Sequence, residues 1–377
     1  MLERIHVENF KASRNVEIAL SRLTVLSGLN SSGKSSLLHA ICILRQSYNS
    51  EGLSSGARLA GNLVQLGQFR DVLSEGAGGD SIIFTIEEDQ KSYSWSFQGE
   101  PLSNQMPFER QPQEIPNFIS SNDFQILQAD RLVPKTLYPQ ASQGTLDTGF
   151  LGPNGEFTVG FLAGSAKWPT SDARGFPRNA PGVSDELLDK IAPTNCLLDQ
   201  VNGWLQQLSP GARINPPDLI GAADAVILQY TYLGKEKDSG SNLYRASNVG
   251  FGLTYSLPII VACLAARRGA LLLLENPEAH LHPRGQSALG ELLAQCANDG
   301  VQIIVETHSD HLLNGIRLAV KRQKLEADSV SLHFFHRQIE TGDAFVESPK
   351  VLPDGKLSSW PDLFFDQWDK DLDALIA

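Results

Sequence analysis

The chain opens on alternation. Ile5, Val7 and then Phe10, followed by Val16, Ile18 and Leu20, set apolar residues among polar ones. A period of two predicts a pair of strands joined as a hairpin. The short apolar run Leu23-Thr-Val-Leu-Ser27 stops at a Gly/Ser/Asn loop from Gly28 to Gly33. From Lys34 to Tyr48 the apolar positions Leu37, Leu38, Ile41 and Leu44 fall at helical spacing. Residues 50–80 read as loop with a short helix. The stretches 82–86 and 93–97 read as a second strand pair, 99–118 as irregular and 124–128 as a strand. Glycine, proline, serine and asparagine crowd residues 140–183, which predicts a long loop. Asp185 to Leu208 is expected to be helical through Leu187, Leu188, Ile191, Leu197, Leu198, Val201 and Leu205, and 225–232 to be one strand. A helix body is expected from Pro258 to Ala266. Two apolar runs, 271–274 and 301–305 (the latter interrupted only by Gln302), flank a helix of roughly 15 residues. That is a βαβ unit, and such strands belong to a parallel sheet covered on both faces. The tail adds two strands, 331–336 and 344–346, and an amphipathic terminal helix from Phe365.

Length and charge narrow this picture. At 377 residues the chain makes one large domain or two intertwined ones. A net charge of −12 argues against a surface that coats nucleic acid throughout, while leaving room for a local basic groove. No run reaches the ~18 apolar residues of a membrane span. The opening MLERIHVENF carries charges and no apolar core of a secretory signal. Cys42, Cys196, Cys263 and Cys296 are far apart and form no CxxC pair, so neither a disulfide framework nor a cysteine zinc site is expected. These features predict a cytoplasmic protein with no membrane contact.

One segment carries sharper chemistry. Gly28-Leu-Asn-Ser-Ser-Gly-Lys-Ser35, with Ser36 behind it, matches the phosphate-loop pattern G-x-x-x-x-G-K-[ST] and sits between a strand and a helix. Backbone N–H groups of Gly28, Leu29, Asn30, Ser31, Ser32 and Gly33 would cradle phosphates, and the helix start adds about half a positive charge. Lys34 would reach the β- and γ-phosphates, and the Ser35 hydroxyl would ligate Mg²⁺. Mg²⁺ needs an acidic partner. Glu275, which ends the run Leu271-Leu-Leu-Leu-Glu275, is the candidate. His308 follows the next apolar strand in Val305-Glu-Thr-His-Ser-Asp310, at the carboxyl edge of the expected sheet, where a γ-phosphate sensor would sit.

Together GLNSSGKSS, LLLLENPEAHLHP and VETHSD resemble the ABC-type ATPases of the RecF/SMC/OLD group, and more narrowly the bacterial AAA-type ATPases with the ENPEAHLHP block, of the kind found in phage-defence systems. The likeness covers about 1–135 and 225–377. It implies an α/β ABC ATPase head: a parallel-sheet P-loop core, an antiparallel N-terminal subdomain and a short helical insert. Residues 1–135 would form the lobe with Walker A, 136–224 the insert, and 225–377 the lobe with signature-like loop, Walker B, D-loop and His switch. The resemblance implies ATP and Mg²⁺ as cofactors, with ATP sandwiched between two heads of a homodimer or higher oligomer. Asn248-Val-Gly-Phe-Gly252 occupies the place of the signature loop that one head offers the other, without its LSGGQ wording. Gly250 and Gly252 would let backbone approach a phosphate; an ordinary turn before a helix is the rival reading. Lys11 and Arg14 fall where relatives contact base and phosphate edge. Gln128 and Arg131 fall at the expected hinge between lobes. His280 and His282 lie in the D-loop segment, where a metal role is the weaker alternative.

One departure matters. Most relatives end the Walker B strand on Asp-Glu, whereas this chain reads Glu275-Asn276. An amide cannot take a proton from water. Either Glu275 does both jobs, or Glu278 substitutes, or hydrolysis is slow. The resemblance therefore implies a slow switch subunit that governs a separate effector, a nuclease or toxin, in anti-phage defence. The alternative is a RecF-like repair ATPase clamping duplex DNA. A self-contained Toprim nuclease does not fit: too little chain follows His308, and Asp369-Lys-Asp371 lies in the expected terminal helix. Arg317, Lys321, Arg322 and Lys324 cluster on one expected helix as a candidate DNA contact, with a solvated charged face as the alternative. The insert, with Trp168 and Trp204 expected at the surface, is the candidate for partner docking.

Overall fold

The computed structural model describes residues 1–376 apart from 52, 54, 177–188, 190, 222–223, 234–241, 339–341 and 363. The chain forms two compact units. The first gathers Met1–Asn122, Ile304–His308 and Ala327–Ala377; the second holds Asp123–Ile303 and Ser309–Glu326.

In the first unit the opening alternation becomes the strands Leu2–Phe10 and Ser13–Ala19, paired antiparallel with Val7 opposite Val16. Ser81–Glu88 and Lys91–Gln98 form the second expected hairpin. With Gln105–Arg110 and Gly56–Arg58 they make a six-stranded antiparallel sheet. The inward positions carry Phe10, Phe84 and Phe97, whose rings meet edge-on at centroid distances of 5.1 and 5.3 Å, arrangements that add to plain burial. The irregular stretch 99–118 thus hides a strand. Its alternation, Met106 buried between exposed Gln105 and Pro107, is too short to stand out among prolines.

The strand Leu23–Gly28 is buried along its whole length. Val330–Arg337 pairs parallel to it with Phe335 opposite Gly28, and Ala344–Glu347 pairs antiparallel to that tail strand. Thr307 N donates to Leu26 O at 2.9 Å on the other side. The helix Lys34–Glu51 follows the loop, with Leu37, Leu38, Ile41 and Leu44 buried as the spacing required. Arg45, Gln46 and Ser47 are buried too, and each bonds backbone. The terminal helix runs Gln367–Ile376.

In the second unit Leu271–Glu275 pairs parallel to Phe124–Leu127. The helix Pro283–Asn298 then leads along the chain to Gln302–Glu306, whose residues 304–306 belong to the first unit, in the expected strand–helix–strand order. Several expectations change. The helix foreseen from Pro258 begins at Phe251, with Pro258 in its interior. An interior proline costs roughly 3 kcal/mol, and the helix accepts it because residues 253–264 are all buried. The single strand 225–232 divides at buried Leu228: Ala225–Ile227 joins one three-stranded sheet and Gln229–Tyr232 another. The long loop 140–183 contains the helices Gln143–Thr148 and Thr158–Ser165. The latter, TVGFLAGS, is buried on nearly every side and so shows no amphipathic stripe. Of the helix expected from Asp185 to Leu208, Leu197–Leu208 is helical and 192–196 is not; Leu187 and Leu188 lie outside the described residues. Trp168 is 44% exposed, but Trp204 is buried. Its ring packs edge-on against Phe176, and its indole N–H donates to Arg174 O. Among the described residues no helix is long and apolar enough to cross a membrane.

Candidate functional site

The first unit holds the phosphate loop. Gly28 ends its strand at φ 140°, where a Cβ would stand 2.2 Å from the Phe335 carbonyl oxygen. Only glycine meets both demands. Ser31 (φ 61°) and Gly33 (φ 98°) also take the left-handed region. Such alternation turns successive N–H groups to one side as an anion nest. The Ser32 hydroxyl donates to Leu29 O at 2.7 Å and pins the turn.

Lys34 is buried, and its Nζ donates to Gly28 O (3.1 Å) and Leu29 O (2.8 Å). Burial lowers its pKa, opposed by Glu306, whose Oε1 lies 3.8 Å away. The Ser35 hydroxyl donates to Glu306 Oε2 at 2.7 Å. Glu306 is itself buried; desolvation raises its pKa, and the Ser35 hydrogen bond and Lys34 charge hold it back. A hydroxyl and a carboxylate are hard oxygen donors of the kind Mg²⁺ takes. His308 stands in the same unit with its surface exposed. Partial desolvation and then Lys34 push its pKa down, which favours a neutral imidazole.

Lys11 sits at φ 56° after the first strand. Its Nζ is 3.0 Å from His39 Nδ1, and His39 is driven to a pKa of about 3 by burial and then by that cation. Arg14 binds Asp343 at 2.7 Å and the Glu75 carbonyl at 3.0 Å. Both cations already hold protein partners on this face.

The second unit carries the other residues. Glu275 Oε2 accepts from Ala129 N at 3.1 Å. Arg131 is buried and donates to the carbonyls of Gln128 (2.8 Å), Asn276 (2.7 Å) and Glu275. It also lies 4.3 Å over the Tyr255 ring, and desolvation lowers its pKa to about 10. Gln128 N donates to Pro153 O at 2.9 Å. Asn276 has φ 43°, and its buried Oδ1 has no hydrogen-bond partner among the described residues. Asparagine is one of the few residues that enters this backbone region readily. Glu278 is buried, and its carbonyl accepts from Leu281 N.

His280 and His282 have local duties. The His280 ring packs edge-on against Phe251 (4.7 Å) and Tyr255 (5.0 Å). His282 Nδ1 accepts from Arg284 N at 3.4 Å and caps the helix that Pro283 opens. No group of three or more metal-ligating side chains stands together among the described residues.

The signature-like loop is a 3₁₀ turn, Ala246–Asn248, leading into the helix at Phe251. Asn248 and Gly250 are exposed, and a Cβ on Gly250 would meet nothing within 4 Å. Gly252 differs: a Cβ there would stand 2.5 Å from the His280 carbonyl oxygen. Its lack of a side chain serves packing against the loop after Glu275, where the sequence suggested approach to a phosphate. The basic cluster also changes. Its helix, Asp310–Lys321, ends before Arg322 and Lys324, and both of those bind Glu291, at 2.6 and 3.6 Å.

Glu306 went unnoticed in the sequence. The signal was present: like Glu275, it is an acid that closes a buried strand, here apolar but for Gln302, two residues before His308.

A P-loop on a parallel strand, with antiparallel strands around it, defines a nucleotide-hydrolysing head. Comparison with known families agrees. A family described as an AAA ATPase domain matches residues 1–135, and an AAA domain family of AbiEii type (type IV TA system) matches 164–314. A family described only as a protein of unknown function (DUF3696) matches 325–375. No curated protein matches. Among solved structures, the fold is similar to an SMC head bound to the C-terminal winged-helix domain of ScpA, at 14% identity and a TM-score of 0.50, covering 93% of this chain and 98% of that one. It is also similar to an SMC head with extended coiled coil, bound to the C-terminal domain of ScpA derived from Pyrococcus furiosus. There identity is 13% and the TM-score 0.52, with 100% and 99% covered. The phosphate loop and the two AAA domain matches make the chain an ATPase of the P-loop NTPase class, with a fold similar to that of an SMC head.

Proposed function

We propose that this chain is a nucleotide-timed switch. It binds ATP with Mg²⁺ at the phosphate loop, pairs with a second copy around the nucleotide, hydrolyses slowly, and governs a separate nuclease or toxin in anti-phage defence. Residues 28–36 cradle the phosphates, Lys34 neutralises them, and Ser35 with Glu275 holds the metal. Lys11 and Arg14 leave their protein partners for the nucleotide's edge. His308 senses the γ-phosphate, and Asn248 and Gly250 face the nucleotide of the opposite head. Mg²⁺ supplies neutralisation of charge developing on the phosphates.

The observation that carries slow turnover is Asn276. An amide follows Glu275, in a backbone conformation suited to asparagine, where relatives carry the base. The match to an AbiEii-type family supports a defence setting. The SMC heads bound to a domain of ScpA give a precedent for a head that holds a separate chain. The test is steady-state ATP hydrolysis with and without duplex DNA, against Lys34→Ala. Turnover well below the usual enzyme median of about 10 s⁻¹, indifferent to DNA and abolished in the variant, is expected. Manyfold stimulation by DNA would sink the switch reading and favour a DNA clamp.

A further inference from the structure

The strand Leu271–Glu275 ends on one acid, Glu275, followed by an amide. The first unit contains another. Glu306 ends a buried strand, and its carboxylate stands at the phosphate loop, 2.7 Å from the Ser35 hydroxyl and 3.8 Å from the Lys34 ammonium. Two oxygens that share one octahedral Mg²⁺ at about 2.1 Å stand about 3 Å apart. Ser35 Oγ and Glu306 Oε2 already have nearly that spacing. The buried carboxylate has few ways to stay charged. Lys34 and Ser35 stabilise it here, and a divalent cation would do so more strongly.

We propose that Glu306 is a metal-holding carboxylate of the nucleotide site: together with the Ser35 hydroxyl, it binds the Mg²⁺ that accompanies ATP, directly or through one water. This rests on the reading of the phosphate loop as the ATP site. The competing role is purely structural, an anchor that keeps Lys34 against the loop. A metal ligand and an anchor differ in what Mg²⁺ does to nucleotide affinity.

The experiment titrates a fluorescent ATP analogue into wild type, Glu306→Gln and Glu275→Gln, each in Mg²⁺ and in EDTA. Glutamine keeps an acceptor for Ser35 and removes the charge. In wild type, Mg²⁺ should tighten binding. In Glu306→Gln that gain should shrink at least tenfold, while affinity in EDTA holds or rises, because a negative charge beside the phosphates is gone. A Glu306→Gln protein that keeps the full Mg²⁺ gain overturns the inference and leaves the ATP-site reading standing. Failure of wild type to bind ATP at all overturns both. If Glu306→Gln does not fold, Fe²⁺ in place of Mg²⁺ on the wild-type ATP complex, with ascorbate and peroxide, gives a second readout. Backbone cleavage at residues 305–307 supports the assignment; cleavage at the phosphate loop without it overturns the assignment.

Discussion

At the scale of single residues, the chemistry follows from side chains held in backbone conformations that few residues accept. Asn276 shows how one position answers two demands. Its φ of 43° favours asparagine over glutamate, and its amide cannot act as a base. Asn276→Glu should therefore lose some stability and gain turnover. General-base catalysis contributes typically ~10²–10⁴-fold, so even a poorly placed glutamate should raise kcat tenfold or more. An unchanged kcat in the steady-state assay would mean that another carboxylate already serves. His39 makes a pH prediction. Its folded pKa of about 3 lies below its ordinary 6.5, through burial and the Lys11 charge. Between those values the unfolded chain takes up a proton that the folded one refuses, so stability falls as pH drops through that window. Urea midpoints at pH 7, 5.5 and 4.5 should decline less steeply in His39→Gln than in wild type.

At the scale of elements, the second unit knots three segments together. The helix that opens at Phe251 touches the loop after Glu275 through Gly252 and through the edge-on contacts of Phe251 and Tyr255 with His280. The segment 128–131 holds the same loop through Arg131. Gly252→Ala drives a methyl into the His280 carbonyl, an overpacking typically worth about 1–3 kcal/mol. It should lower the urea midpoint and slow hydrolysis more than it weakens ATP binding. Gly250→Ala, where the added methyl meets nothing, should leave the midpoint unchanged. Equal destabilisation by the two would contradict this division of labour.

At the scale of the whole molecule, the tail strand Val330–Arg337 lies beside the phosphate-loop strand, so the end of the chain belongs to the unit that its beginning builds. Exposed Asn248 and Gly250 are the surface that the two-head reading assigns to a second copy. Light scattering after gel filtration should show a dimer of wild type with a non-hydrolysable ATP analogue and Mg²⁺, and a monomer without them. Gly250→Leu should abolish that dimer while binding nucleotide normally. A variant that still dimerises would remove this loop from the interface.

What the chain alone determined is local. The phosphate loop between strand and helix, both hairpins, the strand–helix–strand run that ends at Glu306 and the terminal helix follow from periods of 2 and 3.6 and from one motif in context. Periodicity names the face that will be buried and never the partner that buries it. It is silent for segments buried all round, such as Thr158–Ser165, and it misled at 225–232, where neighbours distant in sequence set the pairing. The joining of Ser35 to Glu306 across 271 positions, of Gly252 to His280, and of Arg131 to the loop after Glu275 was decided only by tertiary packing. Each depends on a long-range approach of buried polar groups that must find a partner once water is gone.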